Sequence, residues 1–213
     1  MPRPRSLTTE KLAGAALAVI DRDGLAGLSM RAVAKELGMS TMALYRYVRD
    51  REELEGLVVD LVYAEVDPVP PEDGPWDERI TAMALRLRDA FVAHAAIMPL
   101  TLAHRHASAG SLHWGEAVAG ILAEAGITGR HRAIALRAVL AYIIGAIQLE
   151  HLGALSGEGT AAIAALPREE FPHLAETARH GRRIGPDEEF RGGLAAVLRG
   201  LGAPSAPEGT AGR

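Results

Sequence analysis

The chain has 213 residues, 48% of them hydrophobic and only 4% aromatic, with no cysteine and a formal net charge of −4. These totals exclude disulfides and any cysteine-built metal centre, and they fit one large or two small domains with a core of Ala, Leu, Val and Ile. Helix formers abound and β-branched runs are rare, so the expected class is all-α.

The opening MPRPRSLTTEKL carries basic residues with no apolar run behind them, which is not the pattern of a signal peptide. Residues 7–23 then read as an amphipathic helix with Leu12, Ala16, Val19 and Ile20 on one face and Thr8 or Thr9 as its cap. Ser29 is placed to cap the next helix, whose apolar positions are Met30, Val33, Ala34 and Leu37. Gly38 falls where a helix-ending residue needs a positive φ. Ser40 caps a further short helix that completes by Val48. Asp50 and Glu53 have capping-box spacing for a helix running to about Val66. The segment DPVPPEDGPW, residues 67–76, is the best boundary.

Beyond it, helical patterns cover 77–95, 97–107 with Pro99 in the first turn, 111–125, and 130–153. Gly157 and Gly159 belong to an expected loop that continues to Pro167, followed by helices over 168–180 and 187–201. The domains are therefore expected at 1–66 and 67–202, with a disordered tail at 203–213. The uncharged run between Arg137 and Glu150 is shorter than the about 20 residues a bilayer span needs, so no membrane is expected.

Through residue 55 the chain has nine Lys/Arg and eight Asp/Glu; the remainder has 14 and 19. The less acidic portion is also where Arg46, Arg49 and Arg51 cluster, which suits a polyanionic partner. Residues 28–55 read as helix, tight turn, helix, and the start of a third helix, the helix-turn-helix arrangement. Ala34, Leu37, Met39, Leu44 and Val48 supply its inner face. Thr41, Met42, Tyr45 and Arg46 remain outside. Thr41 can hydrogen-bond a base edge and Met42 can touch a thymine methyl. Tyr45, Tyr47 and Arg51 suit phosphate oxygens, and Arg31 suits a bidentate bond to guanine.

In GLAGLSMRAVAKELGMSTMALYRYVRDREEL, with its Leu44, Tyr45, Val48 and Arg51 tail, the chain resembles the TetR family of bacterial repressors. The resemblance covers about the first 65 residues. It implies that Arg31, Thr41 and Met42 fall where the family reads bases, and that Ser29, Tyr45, Tyr47 and Arg51 fall where it holds phosphate. Two positions depart from the tetracycline-repressor pattern. Ala43 replaces a hydroxyl residue, which removes a backbone contact. Arg46 replaces Trp, which adds a cation for phosphate. A looser likeness to the tetracycline-repressor type of C-terminal domain covers residues 76 to about 155, through Trp76, HAAIMPLTLAHR and IIGAIQLE.

That likeness implies a small molecule bound inside the second domain, whose arrival shifts the helix over 50–66 and respaces two reading heads. Candidate lining residues are Phe91, His94, Met98, Leu102, Trp114, Tyr142 and Ile143, with His94, Thr101, His104, Gln148 and His151 as hydrogen-bonding groups. Tyr142 and Trp114 read equally as plain core, and a histidine in a helical protein is more often a satisfied residue than a ligand contact. Thr101 stands where the tetracycline-binding type has its magnesium-holding histidine, and His104 and His106, two apart, point to different sides of a helix. No metal and no cofactor is expected, and the residue set argues against tetracycline as the effector.

Helix 130–153 is apolar nearly all round, with Ala138, Ala141 and Gly145 as a small-residue stripe. With Phe190, Leu194, Val197, Leu198 and Leu201 of the last helix it is expected to form a homodimer interface, the alternative being that both helices are interior to one chain. A two-fold dimer brings two heads to a pseudo-palindromic operator on double-stranded DNA. The expected function is a cytoplasmic, ligand-responsive transcriptional repressor released by a small, largely apolar molecule. The alternative is a DNA-binding regulator without a small-molecule inducer, an activator or one controlled by a protein partner. An enzyme is not expected, since G-x-S-x-G, H-E-x-x-H and Gly-rich phosphate loops are absent from the sequence.

Overall fold

A computed structural model describes residues 7–202, and among them every regular element is helical. The tail expected to be disordered, 203–213, lies outside the described residues. The chain forms two compact units. One runs through Val69 and takes up Arg86–Glu116; the other comprises Pro70–Leu85 and the chain from Ala117 onward.

In the first unit, α1 (Thr9–Asp23) starts on Thr8, whose hydroxyl oxygen accepts the Lys11 N–H at 3.2 Å, so Thr8 and not Thr9 is the cap. Leu12, Ala16, Val19 and Ile20 are all buried, as their spacing requires. A 3-10 turn at Leu25–Gly27 leads to α2 (Met30–Glu36), then α3 (Thr41–Leu44) and α4 (Arg51–Tyr63). Helix α1 packs on α2 and α4, and α2 on α3. Their shared interior holds Val33, Ala34, Leu44, Val48, Leu54 and Val58, while Leu37 and Met39 of the expected inner face are only half-buried.

The helix expected over 77–95 ends early. After α5 (Trp76–Phe91) the chain tightens into a 3-10 segment, Val92–Ile97, with a non-helical backbone at His94 (φ −123°, ψ 35°). There the His94 ring donates from Nδ1 to Asp21 of α1 at 2.8 Å, a tertiary bond no local pattern encodes. Helix α6 (Met98–Ala103) has Pro99 in its first turn. Helix α7 (Ala109–Glu124) approaches α4 at Gly110, where a Cβ would lie 2.4 Å from the Tyr63 Cβ. The Tyr63 ring meets Phe91 edge to face at 5.0 Å. Burial pushes the Tyr63 phenol above its usual range, partly offset by a hydrogen bond with Ser111.

The second unit is organised on α8 (Gly129–Gly153), 25 residues long. Ala135, Val139, Ile143 and Ile147 form its buried face, and α11 (Pro186–Leu201) lies against it. Phe190, Leu194, Leu198 and Leu201 are buried within this unit, and Val197, the fifth residue of the face expected at a dimer interface, is half-buried. Two helices, α9 (Glu158–Ala164) and α10 (Pro172–Gly181), follow α8. The loop expected over 157–167 is therefore corrected: Gly157 serves as an extended N-cap, and the Ala-rich run after Gly159 forms a helix. By length and composition α8 is long and apolar enough to cross a membrane. The uncharged run 138–149 is only the middle of this helix, which extends past Arg137 and Glu150 at either end.

Candidate nucleic-acid interface

The helix-turn-helix is built by side-chain caps. Ser29 accepts the Ala32 N–H at 3.1 Å to start α2, and Ser40 accepts the Ala43 N–H at 3.2 Å to start α3. Between them Gly38 takes φ +66°, a conformation reserved for glycine by backbone sterics rather than by crowding, since open space surrounds the position of its missing Cβ. Leu44 and Val48 anchor the far side of the turn in the core. Helix α3 is therefore held from beneath, and its outer edge is free.

That edge carries the residues singled out by the sequence. Met42 is 77% exposed, and Tyr45 and Tyr47 are exposed beside it; Thr41 is half-buried at the first turn, and Arg31 and Arg46 face solvent. Neither Arg31 nor Arg46 has a side-chain partner among the described residues, so both guanidiniums are available. Ser29 is exposed, and its cap uses only the oxygen as acceptor, leaving the hydroxyl proton for another partner.

The other cations on this side are engaged. Arg49 donates to Glu53 at 3.0 Å, and Arg51 donates from Nε to Glu55 at 2.6 Å and from Nη2 to the Leu25 carbonyl at 3.4 Å. Asp50 caps α4 through the Glu53 N–H at 2.9 Å, as its spacing requires. Glu53 reaches one residue further back than a capping box does, accepting the Arg49 N–H at 2.7 Å. That backbone bond, then the Arg49 side chain, holds the Glu53 carboxyl below the usual carboxylate range.

The residues proposed for an effector pocket fall in both units. Phe91, Met98 and Trp114 are buried core of the first, and Leu102 is exposed there. Thr101 is buried with its hydroxyl donating to the Met98 carbonyl at 2.7 Å. His94 is taken up by Asp21, and buried His104 donates from Nε2 toward Glu55 at 3.4 Å. In the second unit Ile143 is buried, Gln148 is half-buried and His151 is exposed. The Tyr142 hydroxyl donates to the backbone carbonyls of Glu189 and Phe190 at 3.2 and 2.8 Å, and Gly193 lies so close that a Cβ would sit 2.3 Å from that hydroxyl oxygen.

Two surface features of the second unit lie outside the sequence-based pocket. A cavity of about 420 Å³ is walled by Leu155, Ile163, Leu174, Ala178 and Ile184 with Thr160, Thr177 and His180 at its polar points. A groove of about 500 Å³ runs along α8 past Arg130, Ala133, Ile134, Arg137, Ala138 and Ala141. Neither was read from the sequence: the apolar spacing of Leu174 and Ala178 is a signal that could have found the first, and reading 157–167 as a loop concealed its other wall.

Comparison with known proteins bears on both parts of the chain. The family model described as "Bacterial regulatory proteins, tetR family" matches residues 12–55, and that described as "Tetracyclin repressor-like, C-terminal domain" matches residues 68–204. The HTH-type transcriptional repressor DrrR1 of Streptomyces coeruleorubidus is 30% identical over 94% of this chain and 78% of its own length. The class A tetracycline repressor protein from transposon 1721 of Escherichia coli is 27% identical over 88% of this chain and 87% of its own. Among solved structures, ActR of Streptomyces coelicolor in complex with (S)-DNPA superposes with a TM-score of 0.78 at 27% identity, covering 93% of this chain and 98% of that one.

Proposed function

Since this chain belongs to the tetR family of bacterial regulatory proteins, we propose that it is a ligand-responsive transcriptional repressor acting in the cytoplasm. It grips a pseudo-palindromic operator as a homodimer and lets go when a small, largely apolar molecule binds. The observation that carries the reading is the outer edge of α3, where Met42 is 77% exposed and where Arg31 and Arg46 face solvent with no side-chain partner among the described residues. An unbranched apolar side chain in that position has no task in the fold, and a thymine methyl gives it one.

Arg31, Thr41 and Met42 read bases. Ser29, Tyr45, Arg46, Tyr47 and Arg51 hold the backbone on either side, fixing register without carrying sequence information. The reading head with its connecting helix is residues 1–66, and the effector and dimer domain is 67–202. Dimerisation rests on the face of α8 that its own chain leaves open: Ile134, Ala138, Ala141, Leu149 and Leu152 recur at helical spacing, and Leu152 is 79% exposed. ActR, in complex with (S)-DNPA and with actinorhodin, is a relative of like fold that takes small molecules. A regulator without an inducer is favoured by one observation, that His94, His104 and Tyr142 already bond within the chain.

The test is selection of bound sequences from random duplexes by the full-length protein, followed by gel shift on the enriched site with candidate compounds. Enrichment of a two-fold-related sequence is expected, and recovery of no preferred sequence would overturn the reading. Release by apolar compounds but not by tetracycline with magnesium is expected. If no compound releases the DNA, the inducer-free reading takes its place.

A further inference from the structure

Among the described residues, Glu55 is the one carboxylate that bonds both a proposed DNA contact and a buried histidine. Its Oε1 accepts from Arg51 Nε at 2.6 Å, while its Oε2 lies 3.4 Å from His104 Nε2. The Glu55 side chain is 16% exposed and that of His104 10%, so both are largely shielded from the solvent that loosens surface pairs. A carboxylate only accepts, so the His104 proton in this contact is on Nε2. Arg51, by contrast, is half-exposed. Its Nε and Nη2 are held by Glu55 and the Leu25 carbonyl, and Nη1 has no partner among the described residues.

From this geometry we infer that Glu55 and His104 are positioning residues for operator binding. Glu55 fixes the stem side of the Arg51 guanidinium so that the free edge faces outward, and His104 fixes Glu55. The inference rests on the operator-binding reading above and gives His104, which the sequence placed in an effector pocket, the task of holding Glu55 of the reading head. A free arginine side chain loses much rotamer freedom when it grips a phosphate; one already held by a shielded carboxylate loses less. The anchor on the second oxygen keeps Glu55 from swinging out to follow solvent. The i,i+4 spacing of Arg51 and Glu55 on one helix alone gives only the weak pairing typical of helix surfaces.

The test uses full-length protein and the duplex enriched by wild type. Arg51→Ala is expected to weaken binding about tenfold on all sequences alike and to lower the slope of log affinity against log salt by about one, the signature of a lost phosphate contact. His104→Ala is expected to weaken binding about fivefold, the scale of one ordinary hydrogen bond, and to lower the same slope. In an Arg51→Ala background it should do nothing further. His104→Gln, whose amide can donate from nearly the same place, should restore affinity. Glu55→Ala should behave as His104→Ala, and it serves if that variant proves unfolded by circular dichroism.

Equal losses with and without Arg51, or an unchanged salt slope, would show a merely structural role and overturn the inference. Wild-type protein that enriches no duplex would instead remove the operator-binding reading itself, so the two failures are told apart.

Discussion

From α1 to α4 each helix begins on a side chain that accepts a backbone N–H: Thr8, Ser29, Ser40 and Asp50. From α8 to α11 the N-cap positions are Thr128, Gly157, Phe171 and Gly185, and none makes such a bond. Length accounts for only part of the contrast, since α9, with seven residues, has no side-chain cap and α1, with 15, has one. Helices of seven and four residues, α2 and α3, have too few internal bonds to offset nucleation and depend on caps and on packing. Helix α8 has 25 residues and is carried by its own ladder and one buried face. The two regions also expose different chemistry. The head shows Met42 with the hydroxyl-bearing rings of Tyr45 and Tyr47, whereas α8 and α10 show Ile134, Leu149, Leu152 and Leu174. Mixed apolar and hydroxyl groups beside free arginines match a nucleic-acid groove; a purely aliphatic stripe matches another protein surface.

The largest effect should come from the aliphatic side of this comparison. Leu149→Glu with Leu152→Glu places two charges on the open face of α8. If that face is the dimer interface, sedimentation should show a monomer, and operator affinity should fall roughly 100-fold or more, the scale of burying unpaired charge. A variant that stays dimeric with unchanged affinity would remove α8 from the interface. The melting temperature of the isolated chain is not the readout here, because these side chains are exposed within one protomer.

Next in size are the contacts of the reading edge. Arg31→Ala should cost about 1–3 kcal/mol of operator binding and relax the preference at one base position. Met42→Ala should relax a thymine preference while leaving thermal stability within about 0.5 kcal/mol, since an exposed residue away from caps and core seldom contributes more. Stability loss without loss of base preference would assign Met42 to the fold and weaken the contrast drawn above.

The head was legible because its signals are local. Ser29, Gly38, Ser40 and Asp50 each declare a cap or turn within four residues of the group they bond. What escaped the sequence acts over distance. The His94 bond to Asp21 spans 73 positions and coincides with the break after Phe91. Glu55 takes up His104 across 49 positions, which no helical spacing announces. Tyr142, equally readable as core or lining, proved to bond the backbone of a helix that begins more than forty residues later. Helix α9 was missed for a different reason: Gly157 and Gly159 read as a loop, although the first is its cap and the second lies inside it.

A smaller effect sharpens the difference in capping. Ser40→Ala should destabilise the head by about 1 kcal/mol in chemical denaturation, because an orphan N–H loses its acceptor where only one turn of helix follows. Thr128→Ala, at the start of α8, should change stability by no more than a few tenths, since its hydroxyl caps nothing there. Equal losses at the two positions would mean that capping does not distinguish the regions.

The smallest effect is a pH dependence at the start of α4. Glu53 is held below the usual carboxylate range first by the Arg49 N–H and then by the Arg49 side chain, so in the unfolded chain it binds a proton more readily than in the folded one. Its contribution is therefore present above its unfolded pKa and is lost as pH falls through the lowered folded value. Glu53→Gln keeps an oxygen for the Arg49 N–H and removes the charge. Wild type should be the more stable of the two at neutral pH, and the gap should close as pH falls through the lowered folded value of Glu53. A gap that stays constant over this range would show that the charge on Glu53 contributes nothing, leaving the backbone bond alone to hold the corner between the reading edge and α4.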